Sequence, residues 1–271
     1  MEFSQPMPIA AAVDRLTSKT PVASRLNTAQ WQELSQGLRE RAFFSAGVEK
    51  MNTLTTMQAK LQEALDLSSR DQGKAFMDRS RFVAEMRNAL GAQPGDSGKL
   101  TDITSRKRLE LIYDFQKEDA VEYGSWIAGQ DSDVLDAFPC QELIRVESRD
   151  RERDWAKRWA AAGGRFYGGR MIARKDDPIW SKISRFGRPW PPFDFGSGMG
   201  VEDVSRDEAE ALGVIKPDQQ VEPQAESFNA KLEASLPKAN SAVLEGLREI
   251  FGDTVQVDSI AGVIRWIGGK G

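Results

Sequence analysis

A basic and aromatic stretch between Arg145 and Arg188 is the part of this sequence whose residue types and spacing suggest chemistry. It holds thirteen lysines and arginines against six acidic residues, a formal +7, whereas the whole 271-residue chain carries −4. Nucleic acids are bound through cationic side chains at the phosphates and aromatic rings at the bases. The stretch therefore predicts contact with DNA or with an acidic partner surface. The candidate contact residues are Arg149, Arg151, Arg153, Lys157, Arg158, Arg165, Arg170, Arg174 and Lys175.

The aromatic residues of this stretch also have a simpler interpretation. Trp155 and Trp159 are four residues apart, on one face of a predicted helix, and this spacing is typical of core packing. The alternative to a nucleic-acid surface is therefore an aromatic core beneath a solvated basic face. Both interpretations stay open at the level of sequence.

The composition excludes most catalytic chemistry. The chain has no histidine, the commonest general base, and its one cysteine, Cys140, allows neither a disulfide within the chain nor a thiolate zinc site. Carboxylates remain available, and Glu110 and Asp114 are placed four apart on a helix. A carboxylate-based hydrolase is the minor alternative, but a solvated stripe is the commoner role of such a pair. We predict no catalytic residue and no enzyme.

Other candidate motifs are interpreted as structural. The adjacent acids Asp176 and Asp177 precede Pro178, an arrangement typical of a helix start rather than of a metal site. Three glycine clusters lie near residues 163, 168 and 196, and none has the spacing of a phosphate-binding loop, so they predict turns. We expect no metal, no cofactor and no small-molecule substrate.

Helices predominate among the elements that must position these residues. Apolar spacing predicts a helix starting at Asn27 or Thr28, a long amphipathic helix from Val48 to Leu65, and a helix starting at Asp78 or Ser80. Further helices are predicted through 109–127, 133–138 and 151–162, after Pro178, and after the capping box of Ser205 and Glu208. Residues 142–148 form a predicted strand, and the glycine-rich residues 193–200 a predicted loop.

These elements indicate a helix-rich α+β protein. We predict a helical N-terminal region at 1–95, a mixed central domain with few strands at 96–215, a linker at 216–226, and a C-terminal tail at 227–271 made of a helix and then a hairpin over 254–267. The sequence contains neither an apolar run long enough for a membrane span nor a secretory signal, so no membrane contact is expected. A reducing compartment fits the single cysteine.

Five segments together resemble the phage head morphogenesis, or minor head protein, family, to which protein F of phage Mu belongs. They are RLELIYDFQKEDAVEYGSW (108–126), ELIRVE (142–147), RDWAKRWAAAGG (153–164), GGRMIARKDDPIW (168–180) and FGRPWPPFDFGSGMGVEDVSRDEAEALG (186–213). The similarity spans about residues 100–213. The motif positions are Tyr113, Asp114, Trp155, Trp159, Asp176, Asp177, Pro178, Trp180, Pro191, Pro192, Phe193 and Phe195.

The resemblance implies a low-copy structural protein of the virion head, present in the host cytoplasm during assembly, with the portal protein and the major capsid protein as partners and packaged DNA as a further contact. It implies no reaction. Many relatives carry a histidine where Trp159 aligns and a cysteine-rich segment where residues 193–198 align. Because both are replaced here, we expect packing by Phe193 and Phe195, rather than a metal, to hold this loop.

Overall fold

The computed structural model describes residues 15–22, 31, 39, 42–43, 45–46, 48, 50–65, 77–224, 233–235, 255–258 and 263–266. Contacts divide the chain into two compact units. The central unit is residues 118–224, and the flanking unit comprises the described residues of 15–117 together with the strands after residue 232. The domain bounds suggested by the sequence stay a prediction.

The flanking unit contains helices with one buried face each. Strands β1 (Thr20–Pro21) and β2 (Ala42–Phe43) pair in parallel, and they precede helices α1 (Met51–Leu65) and α2 (Arg79–Ala89). Leu54, Met57 and Leu61 are almost wholly buried, which confirms the apolar stripe predicted for α1. The predicted helix start at Asp78 is also confirmed, since its side chain accepts a hydrogen bond from the backbone N–H of Arg81.

Helix α3 (Arg106–Ala128) contributes its first half to the flanking unit and its second half to the central unit. In the first half, Tyr113 is buried, its ring lies 5.3 Å from that of Phe82, and its hydroxyl donates a hydrogen bond to the carbonyl of Met77. In the second half, Asp119 and Ala120 are buried.

A three-stranded antiparallel sheet organises the central unit. Strand β3 (Cys140–Arg145) lies between β4 (Ile172–Arg174) and β5 (Met199–Val204). Four short helices complete the unit: α4 (Ser132–Ala137), α5 (Trp155–Ala161), α6 (Ile179–Ile183) and α7 (Arg206–Ala211). The protein is therefore an α+β protein, as predicted.

The central unit has two cores. One contains Trp159, Trp180 and Phe193, with Leu143 of β3 and Met199 of β5 packed beside them. The other contains Cys140, Ile172, Val204, Ala209 and Ile215. Cys140 and Leu143 are three residues apart on β3 and so face opposite sides of the sheet, which places them in different cores.

Several sequence predictions are corrected. Strands β1, β2 and β4 were not expected, and Met199 and Gly200 belong to strand β5 rather than to a loop. Each of these strands is too short or too glycine-rich to show an alternating pattern, and it is defined by pairing with a distant segment. Helix α5 begins at Trp155, with Asp154 as its N-cap, rather than at Arg151.

The C-terminal hairpin is confirmed: β7 (Val255–Asp258) pairs antiparallel with β8 (Val263–Trp266). An unpredicted third strand, β6 (Glu233–Ser235), pairs with β8 on its other side. The helix predicted before this hairpin and the first predicted helix, from residue 27 or 28, lie mostly outside the described residues.

Candidate functional site

The tryptophans of the basic stretch form a buried core. The rings of Trp159 and Trp180 meet edge to face with centroids 5.3 Å apart, and the ring of Phe193 stacks 6.2 Å from that of Trp180. Both indole N–H groups donate 2.8 Å hydrogen bonds to backbone carbonyls, those of Arg165 and Arg174. Trp155 is buried as well. These rings therefore build the core and are not available to stack on bases.

Glycine at position 164 makes this core possible. A Cβ atom there would lie 2.3 Å from Nε1 of Trp159, far inside van der Waals contact. The glycine cluster at 163–164 thus ends helix α5, as predicted, and also lets the backbone approach the indole closely.

Next to Phe193 of this core, Asp194 forms ion pairs with three arginines. Its carboxylate lies 3.0 Å from Nη1 of Arg158, 3.5 Å from Nη1 of Arg185 and 3.7 Å from Nε of Arg153. The Asp194 side chain is only 9% exposed, while those of Arg153 and Arg185 are 42% and 43% exposed. One buried negative charge therefore holds three positive charges at the surface. We call Arg153, Arg158 and Arg185 the arginine cluster.

The arginine cluster also fixes the glycine-rich loop of residues 193–198. Arg153 donates a 2.8 Å hydrogen bond to the carbonyl of Phe195, and Arg185 lies over the Phe195 ring. The same ring packs edge to face on Phe186, with centroids 5.0 Å apart. Aromatic packing by Phe193 and Phe195 therefore holds this loop, as expected, together with an ionic contact that the sequence did not predict.

The remaining candidate contact residues are dispersed. Arg170 pairs with Glu142 and Glu208, Arg174 with Asp176, and Arg149 with Glu147. Lys175 is buried, and its ammonium lies 2.8 Å from Asp203, so it does not belong to an exposed surface. Three further candidates, Arg151, Lys157 and Arg165, are exposed, and they form no ion pair with another described residue.

Among the carboxylate candidates, Asp114 and Asp177 have defined partners. Asp114 forms a 3.0 Å ion pair with Arg79 on the exposed side of α3, which accounts for one member of the Glu110–Asp114 pair. The predicted helix start after Asp177 is corrected by one residue: Pro178, expected at the first helical position, is the N-cap of α6, and Asp177 before it accepts a hydrogen bond from the backbone N–H of Ile179. In the described ranges, no three acidic or cysteine side chains are grouped to hold a metal ion.

The sequence did not single out Asp194 or Arg185. Asp194 is the one acid within a run of aromatic residues and glycines, and an acid in such surroundings is a signal for a buried ionic contact. Arg185 lies after helix α6, remote in sequence from Arg153, and only the fold brings the two together.

The central unit also contains carboxyl groups with altered acidity. Burial raises the pKa of Glu118 to about 7, with Glu122 and Glu147 adding repulsion and Arg149 and Arg188 opposing it. Beside it, Asp119 is almost fully buried; it accepts a hydrogen bond from the Trp190 indole at 3.0 Å and forms an ion pair with Arg188 at 2.8 Å. This ionic contact secures residues 188–190 to helix α3.

Comparison of the chain with protein-family models, curated protein sequences and solved structures finds no match. A search of the described helices for one long and apolar enough to cross a bilayer also finds none.

Proposed function

We propose that this protein is a structural minor head protein of a tailed phage or prophage, acting at the portal vertex during head assembly. The observation that carries the proposal is that four of the five segments resembling this family contribute to a single core. Leu143, Trp155, Trp159, Trp180 and Phe193 come from four separate segments of the resemblance and pack in one cluster. Motifs that are scattered in the sequence thus have a common structural purpose, which supports treating them as one family signature.

The arginine cluster supports the partner side of this proposal. Three guanidinium groups share one carboxylate, which leaves an excess of about two positive charges at an exposed surface of a chain whose net charge is −4. Guanidinium groups bind carboxylates and phosphates in bidentate geometry. An acidic face of a portal or capsid subunit is the partner this surface fits.

The direct test is a count of this chain in particles. Heads and tails are purified separately from the producing phage or prophage, and quantitative mass spectrometry compares the chain with portal and major capsid subunits. We expect a few copies per head and none in tails. Its absence from both immature and mature heads, with abundant protein in the producing cell, would contradict the proposal and favour a soluble activity.

A matched pair of variants sharpens this test. Trp180→Ala removes a wholly buried ring from the core, whereas Val146→Ala shortens a side chain that is 59% exposed. We expect the first to abolish incorporation into heads and the second to leave the copy number unchanged. Equal incorporation of both variants would show that this core is not needed for incorporation into heads, which would contradict the proposal.

Contact with packaged DNA is the second candidate function, and the arginine cluster is the specific observation that favours it. Each phosphate contact contributes about −0.9 to the slope of log K against log salt. The double variant R153Q/R185Q should therefore reduce this slope by about 2 in fluorescence titrations with duplex DNA. The control R170Q/R174Q removes the same charge from arginines paired within the sheet and should have a smaller effect.

Failure of wild-type protein to bind DNA at low salt would eliminate this second candidate. It would leave the head-protein proposal standing, because an acidic protein partner uses the same guanidinium groups.

A further inference from the structure

Strand β5 of the central unit has a neighbouring strand on one side only. Strand β3 pairs with it from Met199 to Val204, and no strand in the described part of the chain pairs with its other edge. A sheet edge of this kind presents backbone N–H and C=O groups that can bind a further strand. The hydrogen bonds of β3 show which groups of β5 are available.

The backbone groups of Val201 and Asp203 point away from the sheet. The N–H of Leu143 in β3 donates a 2.9 Å hydrogen bond to the carbonyl of Met171, on the β4 side. Val201 lies directly opposite Leu143, so it forms no backbone hydrogen bond with β3, because directly opposed residues in an antiparallel pair either bond each other or both point outward. The same holds two residues along, where Asp203 lies opposite Gln141.

These outward groups are free to bind. Within the described residues, no other segment accepts a backbone hydrogen bond from Val201 or Asp203. Asp203 and its neighbour Glu202 are exposed, and Val201 is half-buried. Because each of the two outward residues offers an N–H and a C=O, this edge can form up to four hydrogen bonds with an added strand.

Acidic side chains lie on both faces of this edge. Asp203 shares a face with Gln141, and Glu202 lies on the opposite face. Glu202 forms no ion pair with another described residue, whereas Asp203 pairs with the buried ammonium of Lys175 at 2.8 Å and is still 46% exposed. Acids at a strand edge repel a second strand that carries the same acids and attract lysine and arginine.

A cavity on one face of this edge has room for a long side chain. Strand β5 contributes Val201 and Asp203 to the lining of this cavity, which has a volume of about 510 Å³. Glu122 of helix α3 adds a second carboxylate to the lining, and Lys175 is its one cation. Every second side chain of an added strand points to the face of this cavity. The lining therefore favours a basic side chain over an acidic one.

We propose that the free edge of β5 binds an extended segment of a partner protein that contains lysine or arginine residues, and that this segment adds to the sheet as a fourth strand. Backbone hydrogen bonds to Val201 and Asp203 provide the affinity, and the carboxylates of Glu202 and Asp203 select basic side chains. This surface contains none of the residues of the arginine cluster and does not depend on the proposed role in head assembly.

The test measures binding of fluorescein-labelled peptides to the full chain by fluorescence anisotropy. The main probe has about eight residues, with lysine alternating with valine. A second peptide has glutamate in place of lysine. A third is the lysine peptide with methyl groups on alternate backbone nitrogens, which keeps the charge but removes hydrogen-bond donors. We expect the lysine peptide to bind and the other two to bind at least about tenfold more weakly.

Two variants of the chain locate the binding site. Val201→Pro removes an outward N–H and leaves the hydrogen bonds between β3 and β5 in place, so it should weaken binding of the lysine peptide about tenfold. Glu202→Lys reverses a charge at the edge and should weaken binding about fivefold. Asp150→Lys makes the same change in charge at an exposed residue of the loop after β3, and it should bind the peptide like the wild type.

Four results would overturn the proposal. The first is absence of binding by the lysine peptide. The second is equal binding of the methylated or the glutamate peptide, because strand addition to an acidic edge requires both backbone donors and positive charge. The third is unchanged binding to Glu202→Lys, a readout that stays valid even if Val201→Pro fails to fold. The fourth is a dimer of the free chain, seen by analytical ultracentrifugation, that Val201→Pro converts to a monomer; it would assign this edge to a second copy of the chain.

Discussion

Asp194 illustrates how one buried charge can organise a surface. Its carboxylate is desolvated by the loop around it, and three guanidinium groups replace the lost water. Removal of the charge leaves these arginines to repel one another without a common counter-ion. The residue is thus both a stabilising anchor and a limit on the positive charge that the surface presents.

We expect Asp194→Asn to lower the free energy of unfolding by about 2 kcal/mol, less than for a fully buried pair because the arginines are partly exposed. Urea denaturation measures this change. Asp150→Asn makes the same change in net charge at an exposed residue and should have almost no effect. Equal stability of the two variants would show that Asp194 is not an anchor.

Cys140 should be inert in the folded protein. It is completely buried, and burial raises the pKa of its thiol to about 12, so the reactive thiolate is scarce at neutral pH. We expect iodoacetamide to label it only after denaturation, as followed by intact mass. Rapid labelling of the native protein at pH 8 would contradict the burial of this strand.

At the scale of elements, the loop between α6 and β5 depends on one glycine. Gly198 has φ +64°, and a Cβ atom there would lie 2.3 Å from the carbonyl oxygen of Glu147. Its own carbonyl accepts hydrogen bonds from the backbone N–H groups of Val146 and Glu147. The glycine therefore allows the loop to join the end of strand β3.

Gly198→Ala should destabilise the protein by about 3 kcal/mol, because the left-handed conformation and the backbone clash both oppose a side chain. Gly213→Ala is the matched control, since its φ is +72° but its Cβ would meet open space; it should cost about 1 kcal/mol. Thermal denaturation compares the two. If both variants lost the same stability, the loop would have moved away from Glu147 to accommodate the new Cβ atom, and the backbone contact at Gly198 would not be important.

At the scale of the whole molecule, the stability of the protein should depend on pH through Glu118. Its pKa in the folded protein is raised to about 7, above its value in the unfolded chain, so the folded state holds the proton more tightly. The contribution of Glu118 to the free energy of unfolding is therefore greatest below about pH 4.5, and it is lost as the pH rises through 7.

We therefore expect Glu118→Gln to stabilise the protein at pH 8 by on the order of 1 kcal/mol, a value discounted for the partial exposure of this side chain. The gain should shrink as pH falls towards 4.5. Urea denaturation at pH 5 and pH 8 measures both values. A gain that is the same at both pH values would contradict the assignment of the proton to Glu118.

Local patterns in the sequence were enough to predict the helices with regular apolar spacing, the helix starts at Asp78 and Ser205, the glycine turns and the α+β class. These features depend on residues close together in the chain, so local patterns contain the necessary information. For the tryptophans of residues 145–188 the sequence left two interpretations open, an aromatic core or a nucleic-acid surface, and the first is the one observed. The family and the function it implies remain proposals based on resemblance.

Which charges act together depends on how distant segments meet in the folded chain. Arg153, Arg158 and Arg185 meet at Asp194, whereas Arg170, Arg174 and Lys175 are neutralised at the sheet. Strands β4 and β5 likewise required the pairing of distant segments. The physical reason is that ion pairs and strand pairing depend on distances in space, which a linear pattern of charge and hydropathy does not contain.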